Sequence, residues 1–85
     1  MKHFERIYSD QQLPVRARLV YYYLHDRMDK DRICWPGIKR IGSDLGISRS
    51  TVKRALKDLD KAGYIRIDAE HRDNGSLTSN RYRIL

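Results

Sequence analysis

Residues 38–57 read IKRIGSDLGISRSTVKRALK, and this segment holds most of the structural information in the chain. Apolar residues recur at spacings of three and four through Ile38, Ile41 and Leu45, which is the pattern of one face of a helix. Gly46 follows, at the position where a helix commonly ends in a left-handed conformation. Ser48 is a favourable N-cap, so a second helix is expected to begin there.

The second helical pattern has an apolar face of its own. That face consists of Val52, Ala55, Leu56 and Leu59. Two helices joined by so short a turn must cross steeply. The crossing requires a small residue in the first helix, a glycine in the turn, an apolar residue after it and a buried residue early in the second helix. Gly42, Gly46, Ile47 and Val52 meet these requirements in that order. The spacing therefore predicts a helix-turn-helix.

The flanking segments predict one helix before this unit and a β-hairpin after it. The earlier helix has an apolar face made of Leu13, Ala17, Val20, Leu24 and Met28. Beyond Gly63 the apolar period changes to two, which is typical of strands. The two alternating runs are separated by the turn-forming residues 73–76.

Size and composition exclude several classes of protein. A chain of 85 residues forms one small domain. Its longest apolar run covers residues 19–24, whereas a membrane span needs about 20 residues. The single cysteine, Cys34, cannot form an internal disulfide, so a reducing, cytoplasmic location is expected. Cys34 and the three histidines lack metal-ligand spacing, and no catalytic motif is visible. We therefore expect no enzyme activity, no metal and no cofactor.

Positive charge is concentrated in residues 38–57. The whole chain has a net charge of +7, and this segment contains six basic residues against Asp44 alone. The basic residues are Lys39, Arg40, Arg49, Lys53, Arg54 and Lys57. Lysines and arginines at a spacing of four repel one another on an isolated helix, and a polyanion removes that cost. A basic stretch on a structured segment therefore indicates nucleic acid as the partner, against the alternative of an ordinary solvated helix face.

Residues 35–65 resemble the winged helix-turn-helix superfamily. The resemblance rests on Trp35-Pro36-Gly37-Ile38, Ile41-Gly42, Leu45-Gly46-Ile47-Ser48, Ser50-Thr51-Val52 and Leu59 with Ala62-Gly63-Tyr64-Ile65. It is close to the DNA-binding domains of GntR-type repressors, and closer to a helix-turn-helix family of plasmid and phage replication initiators and small regulators. That family usually has Ser at the position of Gly37 and Ala at that of Gly42. We expect Gly42 to lower helix propensity by about 1 kcal/mol relative to Ala without changing the geometry.

The expected fold is α+β, mainly α: a winged helix-turn-helix with three helices, a small antiparallel hairpin wing and a candidate short third strand. The expected elements of this single domain, residues 1–85, are a helix over 13–28, a strand over 33–35, a helix over 37–45, a recognition helix over 48–62 and hairpin strands over 64–69 and 79–85. Tyr21 is expected to be half-buried. Tyr22 and Tyr23 are expected to be exposed or to lie at a homodimer contact.

The resemblance implies binding of double-stranded DNA through the helix over 48–62, whose N-terminal part would enter the major groove. The outward residues would be Arg49, Ser50, Lys53, Arg54 and Lys57. Arg49 and Arg54 can each bind guanine bidentately, so they are expected to contact bases together with Ser50. Phosphate contacts are expected from Ser48, Thr51, Lys39 and Arg40, and Lys53 could contact either a base or a phosphate. Arg72 in the hairpin is a further candidate.

The expected role is transcriptional regulation or origin recognition in a replication initiator. One helix reads few base pairs, so a homodimer or a larger parent chain is expected. No membrane contact and no small-molecule ligand are expected. The alternative is a winged helix that binds proteins and not DNA, for which the outer face of the recognition helix would be apolar or acidic.

Overall fold

The computed structural model describes the backbone of residues 5–71 and 77–85 and the side chains of residues 7–68 and 81–85. Within these ranges the chain forms four helices and three strands. In chain order they are α1 (Glu5–Ser9), α2 (Val15–Arg27), β1 (Ile33–Cys34), α3 (Ile38–Leu45), α4 (Arg49–Lys61), β2 (Ile65–His71) and β3 (Leu77–Ile84).

The three strands form one antiparallel sheet in the order β1-β3-β2. Ile65 pairs with Ile84 and Ile67 with Tyr82, while Cys34 pairs with Tyr82 from the other side. Tyr82 and Ile84 are buried and alternate with Arg81 and Arg83, so one face of β3 covers the core. This is the winged helix-turn-helix architecture, with the candidate third strand present as β1.

The core lies between α2, α4 and this sheet. α2 contributes Ala17, Val20, Tyr21 and Leu24, all buried. The four apolar residues expected on the inner face of α4, namely Val52, Ala55, Leu56 and Leu59, are buried as well. The Arg16 Nε atom lies 3.0 Å from Asp58 Oδ2, so an ion pair also joins α2 to α4 at the edge of the core.

The sequence did not predict α1. The helix has only five residues, which is too short to show a period. Among the side chains of α1 that the structure describes, Ile7 is buried, at 0% exposure. The fold therefore has four helices in place of the three expected. Asp10 follows α1 and accepts a hydrogen bond from the hydroxyl of Tyr64 at 2.9 Å, which joins this end of the chain to the segment between α4 and β2.

Several expected boundaries and burial states differ from the structure. α2 begins at Val15 because the extended backbone of Pro14 caps it. The hairpin strands extend to His71 and from Leu77, beyond the expected 69 and 79, since backbone pairing continues where apolar alternation has stopped. Tyr21 is fully buried, not half-buried. Tyr22 and Tyr23 are partly buried and not fully exposed, because both pack against the core.

Candidate nucleic-acid interface

α4 begins at a side-chain cap. The Ser48 Oγ atom accepts a hydrogen bond from the Thr51 backbone N–H at 3.1 Å and lies 2.9 Å from the Thr51 hydroxyl. One of the free N–H groups of the helix start is thereby satisfied. The expectation that Ser48 is an N-cap is confirmed, and the helix begins at Arg49.

The turn before α4 is closed by two backbone hydrogen bonds to one oxygen. The carbonyl oxygen of Gly42 accepts from the N–H of Gly46 and from the N–H of Ile47, the latter at 3.0 Å. Gly46 has φ 71°, a left-handed value that permits this geometry. A β-carbon on Gly42 would lie 2.7 Å from the Ile47 carbonyl oxygen. The expectation that Gly42 affects helix propensity but not geometry was therefore wrong, because the turn packs against the missing side chain.

The outer face of α4 presents cations to solvent. Arg49, Lys53, Arg54 and Lys57 are all exposed, and none of them forms an ion pair or hydrogen bond through its side chain with the described part of the chain. Ser50 is exposed beside them and Thr51 is partly exposed. Because the apolar residues of α4 face inward, these charges lie together on one side of the helix. The structure thus brings five of the expected site residues onto one accessible surface.

At the start of α3, Lys39 and Arg40 are both exposed, and Arg40 is held in place by an intramolecular partner. The Arg40 Nε atom donates to Asp44 Oδ2 at 3.0 Å. The Tyr23 hydroxyl donates to the same oxygen, and Arg27 Nη2 lies 3.6 Å from it. The hydrogen bond from Tyr23, followed by that from Arg40, lowers the pKa of Asp44 below its ordinary value. This cluster links α2 to α3 next to the expected phosphate contacts.

Comparison with known proteins agrees with this geometry. A family model described as a helix-turn-helix domain matches residues 11–65. The chain belongs to this helix-turn-helix family. Membership supports a DNA-binding role and favours a protein without enzyme activity. No curated protein sequence matches the chain.

A solved structure described as a possible transcriptional regulator from Methanosarcina mazei Go1 has a similar fold. Its superposition on this chain gives a TM-score of 0.72 at 20% sequence identity. The alignment covers 100% of this chain and 67% of the Methanosarcina mazei chain. At this identity the similarity concerns the fold. The similarity in fold extends beyond residues 11–65, which the family model matches, to the rest of the chain.

Beside the helix-turn-helix lies a recess that the sequence did not predict. Trp35 is 49% exposed and, with Tyr23, Arg27 and Arg40, lines a recess of about 250 Å³. In the sequence Trp35 contributed to the family resemblance and to the expected strand over 33–35, which in the structure ends at Cys34. Its position beside two arginines depends on contacts between α2 and α3. Cys34 next to it is buried, and burial raises the pKa of its thiol to about 11.

The remaining expectations concern the wing, metals and membranes. Arg72 lies outside the described residues. In the described part of the helix-turn-helix chain, no three His, Cys, Asp or Glu side chains are grouped as metal ligands would be. None of the helices described is long and apolar enough to cross a membrane.

Proposed function

We propose that this chain recognises a specific double-stranded DNA sequence through α4, as a transcriptional regulator or as the DNA-binding part of a replication initiator. The supporting observation is the exposed basic face of α4, whose basic side chains form no ion pair within the described part of the chain. Charges without intramolecular partners are available to a polyanion at no cost in broken ion pairs. An apolar or acidic face, as a protein-binding winged helix would need, is absent from the described surface of α4.

The position of each residue suggests its role. Arg49, Ser50 and Arg54 lie in the first turns of α4, the part of a recognition helix that meets base edges in the major groove. We assign base contacts to these three residues, with Lys53 contacting a base or a phosphate. Lys57 lies one turn further along, where the helix leaves the groove, and is assigned to a phosphate.

Backbone contacts are expected on both sides of α4. Ser48 and Thr51 place hydroxyl and N–H groups at the positive end of the helix dipole, which favours a phosphate. Lys39 and Arg40 at the start of α3 would contact the adjacent backbone. Arg40 must then share its guanidinium between Asp44 and the DNA. Arg72 is proposed as a further contact from its place in the sequence.

A regulatory role is supported by two similarities. The solved structure with the same fold is described as a possible transcriptional regulator, and the sequence motifs resemble those of small regulators and replication initiators. Both roles require a DNA-binding protein of the cytoplasm, which is the location we propose. A single α4 reads too few base pairs to find a site in a genome, so two copies or a larger parent chain are required.

Selection of duplexes from a random pool tests the proposal. The expected result is an enriched consensus. Arg49→Ala should then weaken binding to that consensus by about 1–3 kcal/mol and relax preference at one base pair. Lys57→Ala should weaken binding to all duplexes alike and reduce the slope of log affinity against log salt by about one. Passage of the wild-type protein over a duplex column at low salt without retention would contradict the proposal and favour a protein partner.

A further inference from the structure

An apolar stripe lies on the solvent side of α2 and is not used by the proposed function. Three of the large apolar side chains that are exposed in the described structure are Tyr8, Val15 and Leu19, at 60%, 80% and 38% exposure. Val15, Leu19 and Tyr22 follow one another at spacings of four and three, so they share one face of the helix. The Tyr8 ring lies 6.1 Å from that of Tyr22 and extends the face onto α1. We call these four residues the outer stripe.

The outer stripe points away from the DNA-binding helix. The opposite side of α2, with Ala17, Val20 and Leu24, is buried and packs toward α4 and the sheet. A partner on the outer stripe would therefore leave the basic face of α4 open. The stripe is apolar where a DNA backbone would require cations, so a protein surface is the better match.

The charges beside the stripe are complementary to a second copy of themselves. Arg18, Tyr22 and Asp26 lie at spacings of four along α2. Asp26 is exposed, and its side chain forms no hydrogen bond or ion pair within the described residues. A two-fold axis through Tyr22 would place two α2 helices antiparallel and bring Arg18 of each copy opposite Asp26 of the other. Such an interface repeats every contact twice, as a two-fold dimer requires.

We propose that the outer stripe is the two-fold interface of a homodimer, an inference that rests on the proposed DNA-binding function. Tyr22 would lie on the axis, with Leu19 and Val15 packed against the second copy. In this arrangement each α4 lies on the far side of its own α2, so its basic face stays open to DNA in both copies.

Sedimentation equilibrium of the whole chain tests the interface in the absence of DNA. The wild-type protein should form dimers as its concentration is raised. Asp26→Arg puts a positive charge opposite Arg18 of the other copy, and the two-fold axis repeats this repulsion. The dimer dissociation constant should therefore rise about tenfold. Asp60→Arg is the matched control, because Asp60 is also exposed on a helix with no side-chain partner among the described residues. It should leave dimerisation unchanged. A wild-type protein that stays monomeric throughout, or equal effects of the two variants, would overturn the proposed interface.

Two further variants test the register and the apolar contact. The double variant Arg18→Asp with Asp26→Arg should recover the dimerisation that Asp26→Arg loses. Arg18 also donates to the Asp10 carbonyl oxygen, so this variant's thermal unfolding must be measured. Val15 is 80% exposed in the single copy, so Val15→Asp buries a carboxylate only in the dimer. It should weaken dimerisation more than Asp26→Arg does, whether or not the double variant folds.

The DNA experiment separates this inference from the proposed function. Val15→Asp should bind a short duplex that carries one site with wild-type affinity per copy, because α4 is unchanged. A Val15→Asp variant that binds this duplex but still dimerises as the wild type does would contradict the interface while leaving DNA binding by α4 intact. DNA binding by α4 is tested separately from dimerisation by Arg49→Ala, which should bind the single site more weakly than the wild type.

Discussion

The carbonyl oxygen of Ile47 lies 2.7 Å from the point that a β-carbon on Gly42 would occupy. The N–H of the same residue donates to the Gly42 carbonyl oxygen at 3.0 Å. The Ile47 residue is therefore hydrogen-bonded to α3 through its N–H and packed against α3 through its carbonyl group. This double contact sets how closely the turn approaches α3, and hence the angle at which α4 leaves it. The position and direction of the basic face depend on the absence of a side chain at residue 42.

Gly42→Ala should destabilise the protein although Ala is the better helix former. The overlap with the turn costs about 1–3 kcal/mol, as overpacking usually does, whereas the gain in helix propensity is about 1 kcal/mol. We expect a net loss on the order of 1 kcal/mol in the free energy of unfolding, measured by urea denaturation. Ser43→Ala is the matched control, since Ser43 is exposed on the same helix and gains propensity without a contact. A Gly42→Ala variant that is more stable than the wild type would show that the turn yields without cost.

The N-cap of α4 allows stability to be separated from DNA binding. Ser48→Ala removes the acceptor for the Thr51 N–H and should cost about 1 kcal/mol of stability. Ser48→Asp restores an acceptor, so it should unfold at nearly the wild-type urea concentration. Its negative charge would nevertheless repel a phosphate at the helix start, and DNA affinity should fall below that of the wild type. Equal DNA affinity of Ser48→Asp and the wild type would remove Ser48 from the proposed phosphate contacts.

Much of this fold could be predicted from the sequence because its main elements are defined locally. The inner face of α4, the cap at Ser48 and the left-handed Gly46 each depend on residues within one or two turns. The helix α1 could not be predicted, since it has only five residues and its described contacts, through the buried Ile7 and the ring of Tyr8, are with distant parts of the chain. The ends of the wing strands were also missed, because Glu70 and His71 pair through their backbones regardless of side-chain pattern.

The candidate site also has a part that the sequence predicts and a part that it does not. The outward basic residues of α4 follow from the helical period once its buried residues are known. The cluster around Asp44 does not, because Tyr23 and Asp44 are 21 residues apart and meet only when α2 packs on α3. Periodicity alone places Tyr23 at the surface, where the structure shows a hydrogen-bonded, partly buried side chain. Contacts between elements thus decide which exposed residues are fixed and which remain free.

Asp44 should contribute to the pH dependence of stability on the acid side. Hydrogen bonds from Tyr23 and Arg40 lower the pKa of its carboxyl below the ordinary 3.8 in the folded state. A lowered folded pKa means that the ionised carboxylate stabilises the fold above pH 3.8, and that this contribution is lost as the pH falls through the folded value. Asp44→Asn should therefore be less stable than the wild type at neutral pH, and the difference should shrink as the pH is lowered below 3.8.

Urea denaturation at a series of pH values measures this difference. Asp60→Asn serves as the control, because the Asp60 side chain has no partner among the described residues. Its stability should follow that of the wild type across the series. Parallel curves for Asp44→Asn and the wild type would show that ionisation of Asp44 does not contribute to stability.

Trp35 offers a direct test of whether the start of α3 meets DNA. It is the only tryptophan in the chain, it is 49% exposed, and it lines the same recess as Arg40. If Arg40 contacts a phosphate, the backbone of the duplex must come close to the indole ring and change its solvation. Tryptophan emission should then shift during a titration with duplex, in proportion to binding measured by the anisotropy of labelled DNA. Salt should reverse both signals together, since phosphate contacts release counterions.

Arg40→Ala should separate the two signals. At saturating duplex, the variant should show a smaller change in tryptophan emission than the wild type, while its anisotropy change should be reduced less. Emission that stays constant while anisotropy saturates would place the start of α3 outside the interface and limit DNA contact to α4 and the wing.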